Sequence, residues 1–316
     1  MSVLLDLLQS MPRLPFHLPV SLTPVLARSA SLASWVTASK GISAGTMETS
    51  ETPSYSIRPY KPKNPDGPFP YSRQDLTPMD PSSDTGFYSV PRFVTHIDDN
   101  AIVQLKQYYD AFLPKAPSSQ DSSPAAKVSI LDICSSWISH YPPRIATAAS
   151  KVDDAVTVVG TGMNEAELSA NPVLNPTPSG KGRDGESGEK RWWLQDLNSN
   201  PQLAPGEAVT KDKFDAATCV VSIDYLTAPV QVLESVRQHT KPNGTVHLVI
   251  SNRCFPTKAV GRWLKVDEPQ RLEMVGDYLW FSGWRDVEIV EVVPPGSWLK
   301  DPLWVVRAVN PSDSST

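Results

Sequence analysis

Five short polar clusters, each closing an apolar run, hold most of the side chains able to do chemistry. They are Asp132-Ile-Cys134-Ser135-Ser136-Trp137, Gly160-Thr-Gly162-Met-Asn164, Asp196-Leu197-Asn198, Ser222-Ile-Asp224-Tyr225 and Ser251-Asn252-Arg253-Cys254. Ser136 followed by His140 has the residue types of a hydrolase pair, but the Gly-x-Ser-x-Gly elbow that would expose the serine is absent. His140 is therefore read as a structural hydrogen-bonding residue. Cys134 has no basic partner in sequence, so it reads as a small buried residue rather than a nucleophile. The first cluster contains no glycine, which excludes a nicotinamide dehydrogenase, whose first turn needs Gly-x-Gly-x-x-Gly. Cys134, Cys219 and Cys254 are too few and too scattered for a disulfide framework or a zinc cage, so no metal is expected. A sixth segment, residues 88–98, carries Arg92 and His96. His96 is a candidate general base for an acceptor that must lose a proton. Arg92, Asn252 and Arg253 are candidate substrate contacts.

Elements to position these clusters are legible between them. Residues 128–133 form a short apolar run, and residues 141–150 read as a helix with Pro142 and Pro143 in its first turn. Residues 155–159 predict a second strand. Asn164 with Glu167 three residues on resembles a capping box for a helix through Ala170. Further strands are predicted over 192–195, 216–222 and, after a Lys241-Pro-Asn-Gly244 turn, 245–250, with a helix at 229–239 between the last two. A helical stretch over 257–281 precedes two β-rich runs, 287–292 and 303–309. Upstream, Ile102, Leu105, Tyr109 and Phe112 make an apolar stripe on a helix capped by Asp98 or Asp99. Strands separated by helices favour a parallel sheet covered on both faces, with the last two strands as an antiparallel pair. The fold class is α/β, doubly wound. In such a sheet a ligand lies beyond the C-terminal strand ends, where the five clusters fall.

Composition narrows the class. The 316 residues carry 29 Lys+Arg against 34 Asp+Glu, a net charge of −5, without the basic excess of a nucleic-acid-binding chain. No window of about 18 uninterrupted apolar residues is present to span a membrane. The expectation is a soluble, intracellular, cytoplasmic protein acting on a small-molecule substrate. Proline is unevenly spread: 16 of the 31 precede residue 125. Residues 1–50, with nine serines and only two acidic residues, read as a disordered leader or an organellar transit segment, with Met47 as an alternative start. Residues 51–85 are expected to be a proline-rich extended arm, 86–310 the folded domain, 175–190 a mobile insertion within it, and 311–316 a tail.

The run from Lys127 to Ile250 resembles class I S-adenosylmethionine-dependent methyltransferases of the methyltransferase type 11-like kind. The likeness rests on VSILDICSSW, VTVVGTGMNEAEL, WLQDLNSNPQL and, most specifically, FDAATCVVSIDYLTAPVQVLESVRQHTKPNGTVHLVIS. It implies a Rossmann-like methyltransferase fold with a mostly parallel seven-stranded sheet, S-adenosyl-L-methionine as cofactor, and methyl transfer to a small acceptor. Cofactor contacts would then be Asp132, Cys134, Ser135 and Ser136 at the methionine end, and Gly162, Asn164 and Glu165 near the ribose. Asp196 and Leu197 would flank adenine, with Ser222 and Tyr225 on the methyl side. Two departures stand out. Cys134, Ser136 and Ile138 occupy glycine places of the family's first loop, and Gly162 stands where an acid usually grips the ribose, leaving Glu165 or Asn164 to substitute. These departures favour one alternative, a methyltransferase fold that binds a partner or metabolite without turnover. Trp137 or Ile138 filling the cleft would exclude an adenosyl group altogether.

Overall fold

The computed structural model describes residues 54–116, 127–151, 155–177, 189–206, 212–296 and 300–312. The expected leader, residues 117–124, most of the 175–190 insertion and the last four residues of the tail lie outside this set. Eight strands form one sheet: β1 (Ser56–Pro59), β2 (Val128–Ile133), β3 (Val156–Gly162), β4 (Trp192–Leu194), β5 (Phe214–Val220), β6 (Thr240–Ser251), β7 (Arg285–Val293) and β8 (Leu303–Val309), in the order β1-β7-β8-β6-β5-β2-β3-β4. From β4 to β6 all pairings are parallel. β8 runs antiparallel between β6 and β7, and β1 antiparallel to β7. The class is the expected doubly wound α/β one, with eight strands rather than seven. The extra strand comes from the proline-rich stretch, where Ser56-Ile-Arg-Pro59 puts its only proline last and lies on a sheet edge, where a missing donor is tolerated.

Helices cover both faces. They are α1 (Asp84–Phe87), α2 (Asp99–Phe112), α3 (Pro143–Ala149), α4 (Glu165–Ala170), α5 (Pro229–Gln238) and α6 (Glu268–Phe281). Alternation along β2 explains the two layers: Leu131 and Ile133 pack with Val232, Leu233, Val275 and Leu279 of α5 and α6. Val128 and Ile130 pack with Leu105, Tyr108, Tyr109 and Ile145 of α2 and α3 on the opposite face. Among the described residues no helix is long and apolar enough to cross a membrane.

Several local expectations need correction. The buried stripe of α2 is Ala101, Leu105, Tyr108 and Tyr109, with Ile102 and Phe112 only partly covered. β3 continues through Gly162, because Gly160 and Gly162 still pair with β4. The Lys241–Gly244 run lies inside β6, where Asn243 takes φ 64° and the pairing to β5 shifts register. The long helix begins only at Glu268, where Asp267 and Gln270 form a full capping box. Asn164 does cap α4, but Glu167 does not close the box; its carboxylate is engaged elsewhere.

Residues 60–84 run across the α5/α6 face. Tyr60 and Tyr71 both donate to Asp277 of α6, at 2.7 and 2.6 Å. The Tyr60 ring lies so close to Gly276 that any side chain there would overlap it. Lys258, buried, pairs with Asp80 and Asp84 at 3.1 and 3.2 Å, which fixes α1 beside the strand ends.

Candidate active site

The loops following β2 to β6 surround a cavity of about 380 Å³ at the C-terminal edge of the parallel strands. It opens between the parallel neighbours β2 and β5, where the strand order switches from one side of β2 to the other, the position at which open α/β sheets leave a crevice. Of the sequence-predicted residues, Arg92, His96, Asp132, Cys134, Ser135, Ser136, Gly162, Asn164, Asp196, Leu197, Ser222, Tyr225 and Arg253 line it. Glu165 and Asn252 do not. Both are exposed, because Glu165 starts the outer turn of α4 and Asn252 turns outward beyond β6.

The floor is built by the loop after β2. Asp132, buried at the strand end, accepts from Ser135 Oγ (2.7 Å) and Ser139 Oγ (2.6 Å) on Oδ2, and from Thr218 Oγ1 (3.2 Å) on Oδ1. Burial pushes its carboxyl up to about 6, against the pull of those three hydroxyls. Cys134 adopts φ 53°, the left-handed conformation that glycine takes most readily, here with a thiol side chain. His140 (φ 54°) and Val221 (φ 41°) are also left-handed and line the same cavity. Such conformations cost about 1–3 kcal/mol each and gather at functional sites. Trp137 turns away: its Nε1 donates to the Val94 carbonyl, and the side chain does not line the cavity. Ile138 lines the cavity without closing it.

The wall at β3 differs from expectation for a steric reason. Ser135 N donates to the Thr161 carbonyl at 2.7 Å, which brings the Ser135 carbonyl over Gly162. A Cβ on Gly162 would meet that oxygen at 2.3 Å, so no acidic side chain fits there. The carboxylate nearest in role is Glu167, which the sequence reading used only as a cap. Its Oε1 accepts the Arg92 amide at 2.6 Å and its Oε2 the Ser136 hydroxyl at 2.7 Å, joining residues 88–96 to the floor. Asp196 accepts from Asn198 N, Ser199 N and Ser199 Oγ, a self-closed turn beside buried Leu197. Asn198, named in the Asp196-Leu197-Asn198 cluster without a role, is a tie between loops. It donates to Asp84 and to the Tyr225 carbonyl and accepts from Thr227, tying three loops together. An exposed-looking polar run gave no sequence signal for that role.

Two buried polar atoms on the lining, Thr161 Oγ1 and His140 Nδ1, have no partner among the described residues. His140 thus lacks, at this nitrogen, the structural hydrogen bond expected of it. Burial holds its imidazole down to about 4, hence neutral at pH 7. Burial likewise lowers His96. Tyr225 OH accepts from Phe255 N at 2.9 Å, and Arg253 donates to Asp301 at 2.8 Å at the rim.

Behind Tyr225, Asp224 is buried with Oδ2 unpartnered among the described residues, and burial pushes its carboxyl up to about 8. A folded value above the unfolded 3.8 means stability is lost as pH rises from about 4 through 8. Asp224→Asn is expected to gain roughly 2–5 kcal/mol relative to wild type between pH 5 and pH 9, measured by urea unfolding at both pH values. Parallel pH profiles for the two proteins would refute this.

No family model matches the chain, and no curated protein does. Among solved structures it is similar to a methyltransferase from Pyrococcus furiosus (13% identity, covering 72% of this chain and 92% of that one, TM-score 0.41). It is also similar to the CurJ carbon methyltransferase (13%, covering 77% and 62%, TM-score 0.42). A third similar structure is phosphoethanolamine N-methyltransferase 2 from Haemonchus contortus in complex with S-adenosyl-L-methionine (12%, covering 77% and 60%, TM-score 0.40).

Proposed function

We propose that this chain transfers a methyl group from S-adenosyl-L-methionine to a small acceptor. The observation that carries the reading is the cleft at the switch point of the sheet, which among the described residues is lined by three left-handed non-glycine residues and two buried polar atoms without a partner. Its residues fit an adenosyl cofactor. The hydroxyl-rich loop held by Asp132 suits a charged amino-acid end. Thr161 and Glu167 offer acceptor oxygens beside β3, and Leu197 with the Asp196 turn forms an apolar edge for a base. When bound, the cofactor supplies an electrophilic methyl carbon. Transfer from a sulfonium is an in-line displacement in which charge is neutralised, so the protein acts chiefly by alignment and exclusion of water.

Residues 88–96 supply the cover. Asn164 Nδ2 holds the Tyr88 and Ser89 carbonyls, Glu167 the Arg92 amide and Trp137 the Val94 carbonyl. His96, kept neutral by burial, takes the proton that an O–H or N–H acceptor releases. Tyr225, fixed by Phe255 N, and Ser222 line the methyl side.

Titration of the full chain with S-adenosyl-L-methionine tests the reading. At a hundredfold excess over Kd the gain is about 2.7 kcal/mol, a rise in Tm of about 5 °C or more. No shift and no calorimetric heat at millimolar cofactor would end it. One observation favours a binding module without turnover: the Ser135 carbonyl leaves no room for a side chain at position 162. Cofactor binding without methyl release to any acceptor in a broad single-turnover screen would favour that second reading.

A further inference from the structure

The mouth of the cleft is walled by aromatic rings. Tyr88, His96, Tyr225 and Phe255 all line the cavity, and Phe255 is their hub, with ring centroids 5.6 Å from His96 and 6.0 Å from Tyr225. Among these rings stands one guanidinium. Arg92 lies 4.5 Å from the Phe87 ring centroid, 5.6 Å from Phe255 and 5.8 Å from Tyr88, and it lines the cavity itself.

Its polar partners do not balance its charge. The guanidinium donates from Nη2 to the Phe87 carbonyl at 2.9 Å, and its remaining N–H groups meet no acceptor among the described residues. Among the described residues no carboxylate forms an ion pair with the guanidinium; the two oxygens of Glu167 take the Arg92 backbone amide and the Ser136 hydroxyl. The other basic side chains nearby are committed: Lys258 to Asp80 and Asp84, Arg253 to Asp301. A half-buried guanidinium with a free planar fork, stacked on rings, matches a carboxylate bidentately, while the surrounding faces accept a ring.

We propose that the acceptor is a planar, ring-bearing carboxylate, its anionic group held by Arg92 and its ring lodged among Tyr88, Tyr225 and Phe255. This rests on the methyl-transfer reading only in naming the bound molecule as acceptor; the anion site itself stands apart from it. Arg92 is then a specificity-determining residue.

The test is calorimetric titration of the full chain, with and without S-adenosylhomocysteine, using 4-hydroxybenzoate, its amide 4-hydroxybenzamide, and tyramine as probes. The benzoate should bind at least tenfold more tightly than the amide, with tyramine weakest. Arg92→Gln should reduce the benzoate-to-amide ratio below twofold, and Arg92→Lys should retain part of it, with S-adenosylhomocysteine affinity within twofold of wild type in both. Equal binding of benzoate and amide by wild type, or no binding of either at millimolar concentration, overturns the proposal without recourse to any variant. Loss of S-adenosylhomocysteine affinity in Arg92→Gln overturns it differently, by assigning the guanidinium to the cofactor's carboxylate. Wild type that ignores S-adenosylhomocysteine yet discriminates benzoate from amide through Arg92 refutes methyl transfer while leaving the anion site standing.

Discussion

Asp132→Ala is expected to lower S-adenosyl-L-methionine affinity at least a hundredfold at pH 7 while leaving the fold intact. Among the described residues the carboxylate alone gathers the hydroxyls of Ser135, Ser139 and Thr218, so without it the loop carrying Cys134 to His140 keeps Asn171 but loses the anchor that joins it to β5. Global stability should change little, because two effects oppose each other. The three lost hydrogen bonds are worth roughly 1 kcal/mol each. Against this, a buried carboxyl whose pKa rises from 3.8 to about 6 destabilises the fold by about 3 kcal/mol once ionised. The sign follows from the raised value: wild type loses this stability as pH climbs from about 4 to 6, and the alanine variant should not. Calorimetric titration gives the affinity, and melting curves at pH 4.5 and 7 give the stability. Unchanged affinity would remove Asp132 from the binding machinery. A collapse of Tm at pH 7 would make its role one of folding alone.

Installing the acid that the family resemblance leads one to expect should do harm. Gly162→Asp is expected to destabilise the protein by about 2–4 kcal/mol and to weaken cofactor binding rather than strengthen it. The reason is backbone, not side chain. The oxygen that a Cβ would strike belongs to the Ser135 carbonyl, and that peptide is pinned by its own N–H to Thr161. Leu168, the next atom met at 3.3 Å, gives little room on the other side. Gly162→Ala should show most of the loss, which separates overlap from charge. Urea unfolding and cofactor titration of both variants decide the matter. A tighter-binding aspartate variant would mean that the β2 loop moves aside and that the missing acid had been a simple deficit.

Much of this architecture is local information. The apolar runs at 128–133 and 303–309 coincide with β2 and β8 because a strand covered on both faces is buried at nearly every position and so reads as a continuous apolar run. Asn164, Asp98 and the Pro142-Pro143 pair at the start of α3 mark helix starts for equally local reasons: each satisfies or removes orphan backbone donors. From those elements alone the α/β class follows, as does the gathering of five loops at one sheet edge. Tertiary structure decided what depends on residues far apart in the chain. Ser56–Pro59 became a strand only because β7 presented an open edge. Glu167 passed from helix cap to cleft clamp because Arg92, 75 residues earlier, crosses above it. Glu165 and Asn252, one helical step or one residue from useful positions, fell outside the cleft because side-chain direction is set by the turn each element makes on leaving the sheet. The contact that bars an acid from position 162, like the lack of an ion pair to Arg92 among the described residues, belongs to distances in space, and linear spacing carries no record of them.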